Sequence, residues 1–265
     1  MKITKSTLDH IHQHAVQCYP AEACGLIIRE GRAQVYVPCT NVATSPGEHF
    51  RISAEDYASA EDRGAVLAVV HSHPDHSPQP SEADRVACEA SGLSWHIIEV
   101  RKGDNGVVSA GELFSFTPTG YQAPLIGRSF HHGTLDCYQM IVDYYQRELG
   151  ITLKQYGRED DWWSNGGNLY MEKYADAGFS PVNDLQQGDV IIMQVRAPVP
   201  NHAGIYLADG ILKTEPEHYP APRSILHHLH GRDSRRDVYG AFWAESTRLI
   251  LRHCDVINRI HLEGR

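Results

Sequence analysis

A continuous apolar run, Ala65-Val66-Leu67-Ala68-Val69-Val70, leads without a break into His71-Ser72-His73-Pro74. Six β-prone apolar residues in succession predict a strand buried on both faces rather than on one. Side chains two apart in a strand point to the same face, so His71 and His73 converge on one point. Pro74 removes a backbone donor and holds His73 extended, which ends the strand there. The next helix is predicted to open near Ser81 and to stop at Gly92, and its first turn brings Asp84. Two imidazoles and a carboxylate form a three-ligand metal set with a fourth tetrahedral position left for water, the pattern of catalytic rather than structural sites. Ser81-Glu82-Ala83-Asp84 equally fits a capping box, so the same two residues also suffice to start a helix.

Around this core the periodicity predicts a helix over residues 4–18 and a hairpin of 25–29 with 33–37. A second helix opens at Ser53-Ala54-Glu55-Asp56 with a capping-box pattern, and strands follow over 94–100 and 112–116. Thr117-Pro118-Thr119-Gly120, with Pro124 soon after, is a cluster of turn formers without periodicity. It divides the chain into a first domain, 1–116, a linker, 117–124, and a second domain, 125–265. In the second domain 137–149 reads as a helix stopped by Gly150, followed by strands over 190–195, 203–207 and 225–229. Helix then sheet is an α+β order.

Asp136 is the N-cap expected for the 137–149 helix, which places Cys137 in its first turn, where free amides and the macrodipole favour a thiolate. His202, just before the 203–207 strand, is the candidate base, and a third polar group is needed to orient its ring. The 265-residue chain carries 17 histidines, so Cys–His pairing by composition alone proves nothing, and burial is the commonest fate of a free cysteine. The six cysteines (18, 24, 39, 88, 137 and 254) are scattered, and most are expected to be buried small apolar residues rather than a disulfide framework.

Glu22, His71-Ser72-His73-Pro74, a six-residue gap, Ser81 and Asp84 together resemble the motif of the JAMM (JAB/MPN+) metallopeptidases. The resemblance covers residues 1 to about 116 and includes Glu22-Ala23-Cys24-Gly25-Leu26 before the first strand. It implies a cytidine-deaminase-like αβα domain in which His71, His73 and Asp84 hold Zn2+. Glu22 is then the proton shuttle and Ser81 the donor to the tetrahedral oxyanion. His76, in the loop beside this site, is expected to be solvated.

Asp136-Cys137, Leu185-Gln186-Gln187-Gly188-Asp189-Val190 and His202-Ala203-Gly204-Ile205-Tyr206-Leu207 resemble the NlpC/P60 cysteine peptidases, which have a papain-like core and mostly cleave peptidoglycan stem peptides. That resemblance makes Cys137 the nucleophile and His202 the base. Two departures stand out: Tyr138-Gln139 replace the family's usual Ser-Gly, and Lys213–Ser224 looks like an insertion before the strand that carries the third group. Skipping that segment selects His227. His228, Glu215 and His218 remain alternatives.

A JAMM-like domain followed by an NlpC/P60-like domain with a C-terminal extension resembles the tail-tip assembly proteins of lambda-type phages. This implies hydrolase activity at two centres, other tail-tip proteins as partners and bacterial peptidoglycan as a substrate. The alternative is a structural assembly factor with one or both sites inactive. The expected location is the host cytoplasm during assembly, with the virion tail tip left open. A formal net charge of −9 argues against nucleic-acid binding, no apolar stretch is long enough for a membrane span, and the N-terminal residues lack a secretory signal.

Overall fold

The computed structural model describes residues 2–159 and 161–257, a mixed α+β chain of two compact units, Met1–Gln122 and Ala123–Arg265. Among the described residues no helix is long and apolar enough to cross a membrane.

Unit 1 runs α1 (Lys5–Cys18), β1 (Cys24–Glu30), β2 (Ala33–Cys39), α2 (Ala54–Arg63), β3 (Ala65–Pro74), α3 (Glu82–Ser91), β4 (Ser94–Lys102) and β5 (Val108–Phe116). Its sheet has the order β2-β1-β3-β4-β5, with β3 and β4 parallel and every other pair antiparallel. Alternation along β3 builds two cores. Ala68 and Val70 pack with Ile11 and Ala15 of α1, while Val69 packs with Ala60 of α2 and Cys88 of α3. Leu26, Ile27 and Ile28 are fully buried, and burying each such side chain contributes roughly 1.5–3 kcal/mol. Both faces of β3 are therefore covered by helices, an αβα arrangement.

Thr4 caps α1 through the Thr7 amide, and the buried stripe Thr7, Ile11, Ala15 repeats every four residues. The capping box expected at Ser53 is only half formed. Ser53 accepts from the Asp56 amide, but the Asp56 carboxylate accepts instead from the Thr40 amide at 2.6 Å. Tertiary structure outcompetes the local pattern because the β2 end offers Asp56 an amide of its own. The stretch expected to be a linker is partly anchored: the Thr119 and Tyr121 amides donate to Glu89 Oε1 at 2.6 and 2.9 Å, and the division between units falls after Gln122.

Unit 2 begins with α4 (Cys137–Tyr144), which continues into a π-helical turn, Tyr145–Leu149, and stops at Gly150 in the left-handed region. Then come α5 (Leu169–Lys173), β6 (Phe179–Pro181), β7 (Val190–Met193), β8 (His202–Leu207), β9 (Ser224–His227), β10 (Arg235–Val238), α6 (Ala241–Ser246) and β11 (Thr247–His253). The antiparallel sheet has the order β10-β9-β8-β7-β11-β6. Ala203, Ile205 and Leu207 of β8 join Met140, Ile141 and Tyr144 of α4 in one core, while Tyr206 and Ile225 face a smaller cluster flanked by Tyr239 and Trp243. β11 lies between β7 and β6, so the stretch to His253 is part of the sheet; an extension past Ile257 lies outside the described residues.

Candidate functional site

The end of β3 and the start of α3 bring His71, His73 and Asp84 together. His71 Nε2 lies 3.1 Å from His73 Nε2 and 3.2 Å from Asp84 Oδ1, and His73 Nε2 lies 3.5 Å from Asp84 Oδ2. A tetrahedral ion with bonds of about 2.0–2.1 Å holds its ligands about 3.3–3.4 Å apart, which this triangle of donors matches. His73 Nδ1 faces the Ser77 carbonyl at 2.8 Å, so the proton sits on Nδ1 and the Nε2 lone pair is free for a cation. His71 is buried and stacked on Phe50, with ring centroids 4.5 Å apart, and burial pulls its pKa down, keeping it neutral. Asp84 is buried too, yet the two imidazoles and Ser81 hold its carboxyl far below the usual range.

Asp84 completes the capping box read from the sequence and also faces both imidazoles. Its Oδ2 accepts from the Ser81 amide at 2.8 Å and the Ser81 hydroxyl at 2.7 Å, completing a capping box, while Oδ1 faces His71. The Ser81 hydroxyl proton is thus directed at Asp84.

Glu22 precedes β1 and is buried. Burial raises its pKa to about 8, against a lowering by His73, while Asp84 raises it further. Its backbone is fixed by three neighbours. The Glu22 amide donates to Pro46, the Glu22 carbonyl accepts from Asn41 Nδ2, and the next amide, Ala23, donates to Ser72 Oγ at 2.8 Å. Ser72 is fully buried between the two histidines, and its anchoring role was not legible in the sequence beyond its place in the motif.

In unit 2, Asp136 caps α4 by accepting from the Gln139 amide at 2.8 Å and also accepts from Gly133 and from Arg158 Nε, the latter at 2.7 Å. Cys137 Sγ lies 3.1 Å from Tyr170 Oη and beside the Ala203 amide, next in sequence to His202. The expectation of a favoured thiolate is overturned. Burial, then the Asp136 charge, push the thiol up to about 11, outweighing the Tyr170 hydroxyl, the Ala203 amide and Arg158. A helix start with its own buried carboxylate cap is a poor home for a second, resting anion.

His202 Nε2 lies 2.9 Å from His227 Nδ1, and His227 Nε2 lies 3.2 Å from Asp237 Oδ2, which also accepts from Arg235 Nη2 at 2.9 Å. Both histidines are buried, and burial lowers the pKa of each. Trp243 packs edge-on against His227 at 4.5 Å. Of the alternatives, His228 points to the other side, against Phe130. Glu215 is occupied elsewhere, accepting from the Leu125 and Ile126 amides and from Arg147, with His218 Nε2 3.7 Å away. Asp237 was missed because β10 is a short, Arg-rich strand with no motif. Asp189, in the Gln-Gly-Asp motif, forms a buried bidentate pair with Arg252 at 2.8 Å for both bonds. Cys24, Cys39 and Cys88 are buried, but Cys18 is half-buried and Cys254 exposed, the latter because it sits just past the last strand.

Residues 4–113 match the family described as prokaryotic homologs of the JAB domain, and residues 127–252 match the NlpC/P60 family. The chain is 40% identical over 255 residues to the tail tip assembly protein K of Escherichia phage N15, covering 95% of this chain and 96% of the relative. The chain belongs to the tail tip assembly protein K family. The protein K of Escherichia phage lambda is 36% identical over 204 residues, 76% of this chain and 89% of that one. A desampylase of Haloferax volcanii is 32% identical over 100 residues, 35% of this chain and 72% of the relative. In this protein K relative the JAB-matching segment contains Glu22, His71, His73, Ser81 and Asp84, and the NlpC/P60-matching segment contains Cys137, His202, His227 and Asp237.

Proposed function

We propose that the chain is a two-centre peptidase of a phage tail tip, with a zinc site in unit 1 that hydrolyses amide or isopeptide bonds and a thiol site in unit 2 that cleaves peptidoglycan stem peptides. It acts in tail assembly or cell-wall penetration, with other tail-tip proteins and the bacterial wall as partners. The observation that carries this reading is the triangle of His71, His73 and Asp84 donors at 3.1–3.5 Å, with a buried carboxylate, Glu22, coupled to it.

His71 Nε2, His73 Nε2 and an Asp84 oxygen would hold the cation. When bound, zinc supplies Lewis acidity, polarising an amide carbonyl and making water ionisable near neutral pH. Glu22, raised to about 8 by burial, takes a proton from water and delivers it to the leaving nitrogen, a transfer suited to a pKa near the working pH. Ser81 turns its hydroxyl from Asp84 to the developing oxyanion. In unit 2, His202 Nε2 is engaged by His227, which leaves Nδ1 to take the Cys137 proton as the sulfur attacks the peptide carbonyl. The same proton then goes to the leaving amine, and water releases the acyl group. Tyr170, which touches Cys137, also lines a cleft with Tyr156, Trp162, Leu169 and Tyr174.

A second reading is an assembly factor whose thiol site is idle, favoured by the protonated Cys137 held against Tyr170. One experiment separates them. Purified peptidoglycan is digested with wild type, Cys137→Ala and His73→Ala, the products are read by mass spectrometry, and metal content is measured in parallel. The two-centre reading expects one zinc per chain that His73→Ala loses, and stem-peptide products that Cys137→Ala loses. Wild type that releases nothing from the wall leaves unit 2 as a scaffold, and wild type without zinc removes the first centre.

A further inference from the structure

The side chains beyond His202 form a directional relay that ends in a carboxylate: His202 Nε2 to His227 Nδ1 at 2.9 Å, His227 Nε2 to Asp237 Oδ2 at 3.2 Å, and Arg235 Nη2 to the same Asp237 oxygen at 2.9 Å. We propose that Asp237 is a positioning residue that selects the ring tautomers of His227 and His202, and so decides whether Nδ1 of His202 is a base. This rests on the reading of unit 2 as a thiol site, and it adds a residue from β10 that acts through His227.

The argument follows the protons. A carboxylate only accepts, so Asp237 requires the His227 proton to be on Nε2. His227 Nδ1 is then a lone pair, and its partner among the described residues, His202 Nε2, must be the donor. A neutral His202 with its proton on Nε2 has a lone pair on Nδ1, which is the state a general base needs. The opposite order, His227 Nδ1–H donating to His202 Nε2, puts the His202 proton on Nδ1 and aims two lone pairs, those of His227 Nε2 and Asp237, at each other. When His202 takes the thiol proton and becomes an imidazolium, its Nε2–H already points along the relay, so no ring has to turn.

The burial pattern supports this assignment. His227 is 1% exposed and His202 4%, so water is a poor substitute for the missing acceptor. Trp243 lies edge-on to His227 at 4.5 Å and within 6.0 Å of His202, closing another side. Arg235 anchors Asp237 from outside, its side chain nearly half exposed, and holds the carboxylate oxygen that His227 faces.

The test is ring 15N chemical shifts of histidine-labelled protein, which report which nitrogen carries the proton, together with the alkylation rate of Cys137 followed by peptide mass spectrometry. Wild type is expected to show His202 protonated on Nε2. Asp237→Ala is expected to move His202 to a mixture or to the Nδ1–H form and to slow Cys137 alkylation by about ten- to a hundredfold. Asp237→Thr, a better strand former on this edge strand, serves as the second shortened variant, and both should behave alike. Asp237→Asn, whose amide oxygen is held by Arg235 in the same place, is expected to restore the wild-type tautomer. His202 tautomers unchanged in both shortened variants would overturn the proposal. Tautomers that shift while Cys137 shows no alkylation in wild type would uphold the positioning role and remove the nucleophile reading instead.

Discussion

Gly204 lies directly opposite His227 in the β8–β9 pairing, and a Cβ at Gly204 would come within 2.9 Å of the His227 Cβ and 2.7 Å of Ile225 Cγ1. His202 sits two residues before Gly204 on the same face. The missing side chain leaves the space through which His227 leans diagonally to reach His202. Gly204→Ala is therefore expected to push the two rings apart. Overpacking of this kind costs about 1–3 kcal/mol, while a displacement near 1 Å at a reacting group costs about a hundredfold in turnover. Thermal unfolding and peptidoglycan digestion of the same preparation check both, and full activity in Gly204→Ala would show that the close fit is not needed.

Ser72 does for the first site what Gly204 does for the second. Its hydroxyl accepts the buried Ala23 amide at 2.8 Å, and its own amide donates to the Ala23 carbonyl at 2.9 Å, so the backbone carrying Glu22 is locked to the strand carrying both histidines. Ser72→Ala leaves one buried N–H without a partner, a loss of about 1–3 kcal/mol. The expected result is retained zinc stoichiometry with reduced amide hydrolysis, because the ligands stay in place while the carboxylate drifts. Ser72→Thr, which keeps the hydroxyl, should recover most of the rate.

Legibility in the sequence followed how local the determining physics is. The apolar run into His71-Ser72-His73-Pro74 and the Ser81-to-Asp84 spacing lie within single elements, so strand period put both imidazoles on one face and the helix start put Asp84 in the first turn of α3. Strand ends were less clear: β9 stops at His227 rather than 229, and β7 at Met193 rather than 195, since neither boundary carries Pro or Gly. Asp237 reaches His227 from a neighbouring strand and could be found only from register. The thiol's pKa was misjudged for the same reason. The helix start was visible, but the burial around Cys137 comes from segments distant in sequence.

Cys137, held up to about 11 by burial and by Asp136, should react slowly when no substrate is bound. Below its pKa the thiolate fraction rises about tenfold per pH unit, so alkylation of Cys137 should climb steadily from neutral to alkaline pH without a plateau near 7. Tyr170→Phe removes the hydroxyl that favours the thiolate and should lower the rate at each pH. Site-resolved alkylation kinetics by mass spectrometry, with exposed Cys254 as the internal comparison, decide this. A plateau at neutral pH would mean that His202 already holds the proton at rest.

Arg158 controls acid behaviour in unit 2. Asp136 is buried, which alone would raise its pKa, but Arg158, at 2.7 Å and itself largely buried, together with the Gln139 and Gly133 amides, brings it below the usual range of an aspartate. Its unfolded pKa is about 3.9, so the stabilisation is fully present above that value and lost as pH falls through the lower folded one. Arg158→Ala leaves burial as the dominant influence and an uncompensated carboxylate at the start of α4, costing about 3–5 kcal/mol near neutral pH. The sign then reverses, because a raised folded pKa makes the protonated form the better fit. The stability gap between wild type and Arg158→Ala should therefore narrow as pH drops below about 4. Urea unfolding of both proteins from about pH 3 to about pH 7 would show a constant gap if Arg158 acted only through packing on Tyr138, whose ring it covers at 4.9 Å.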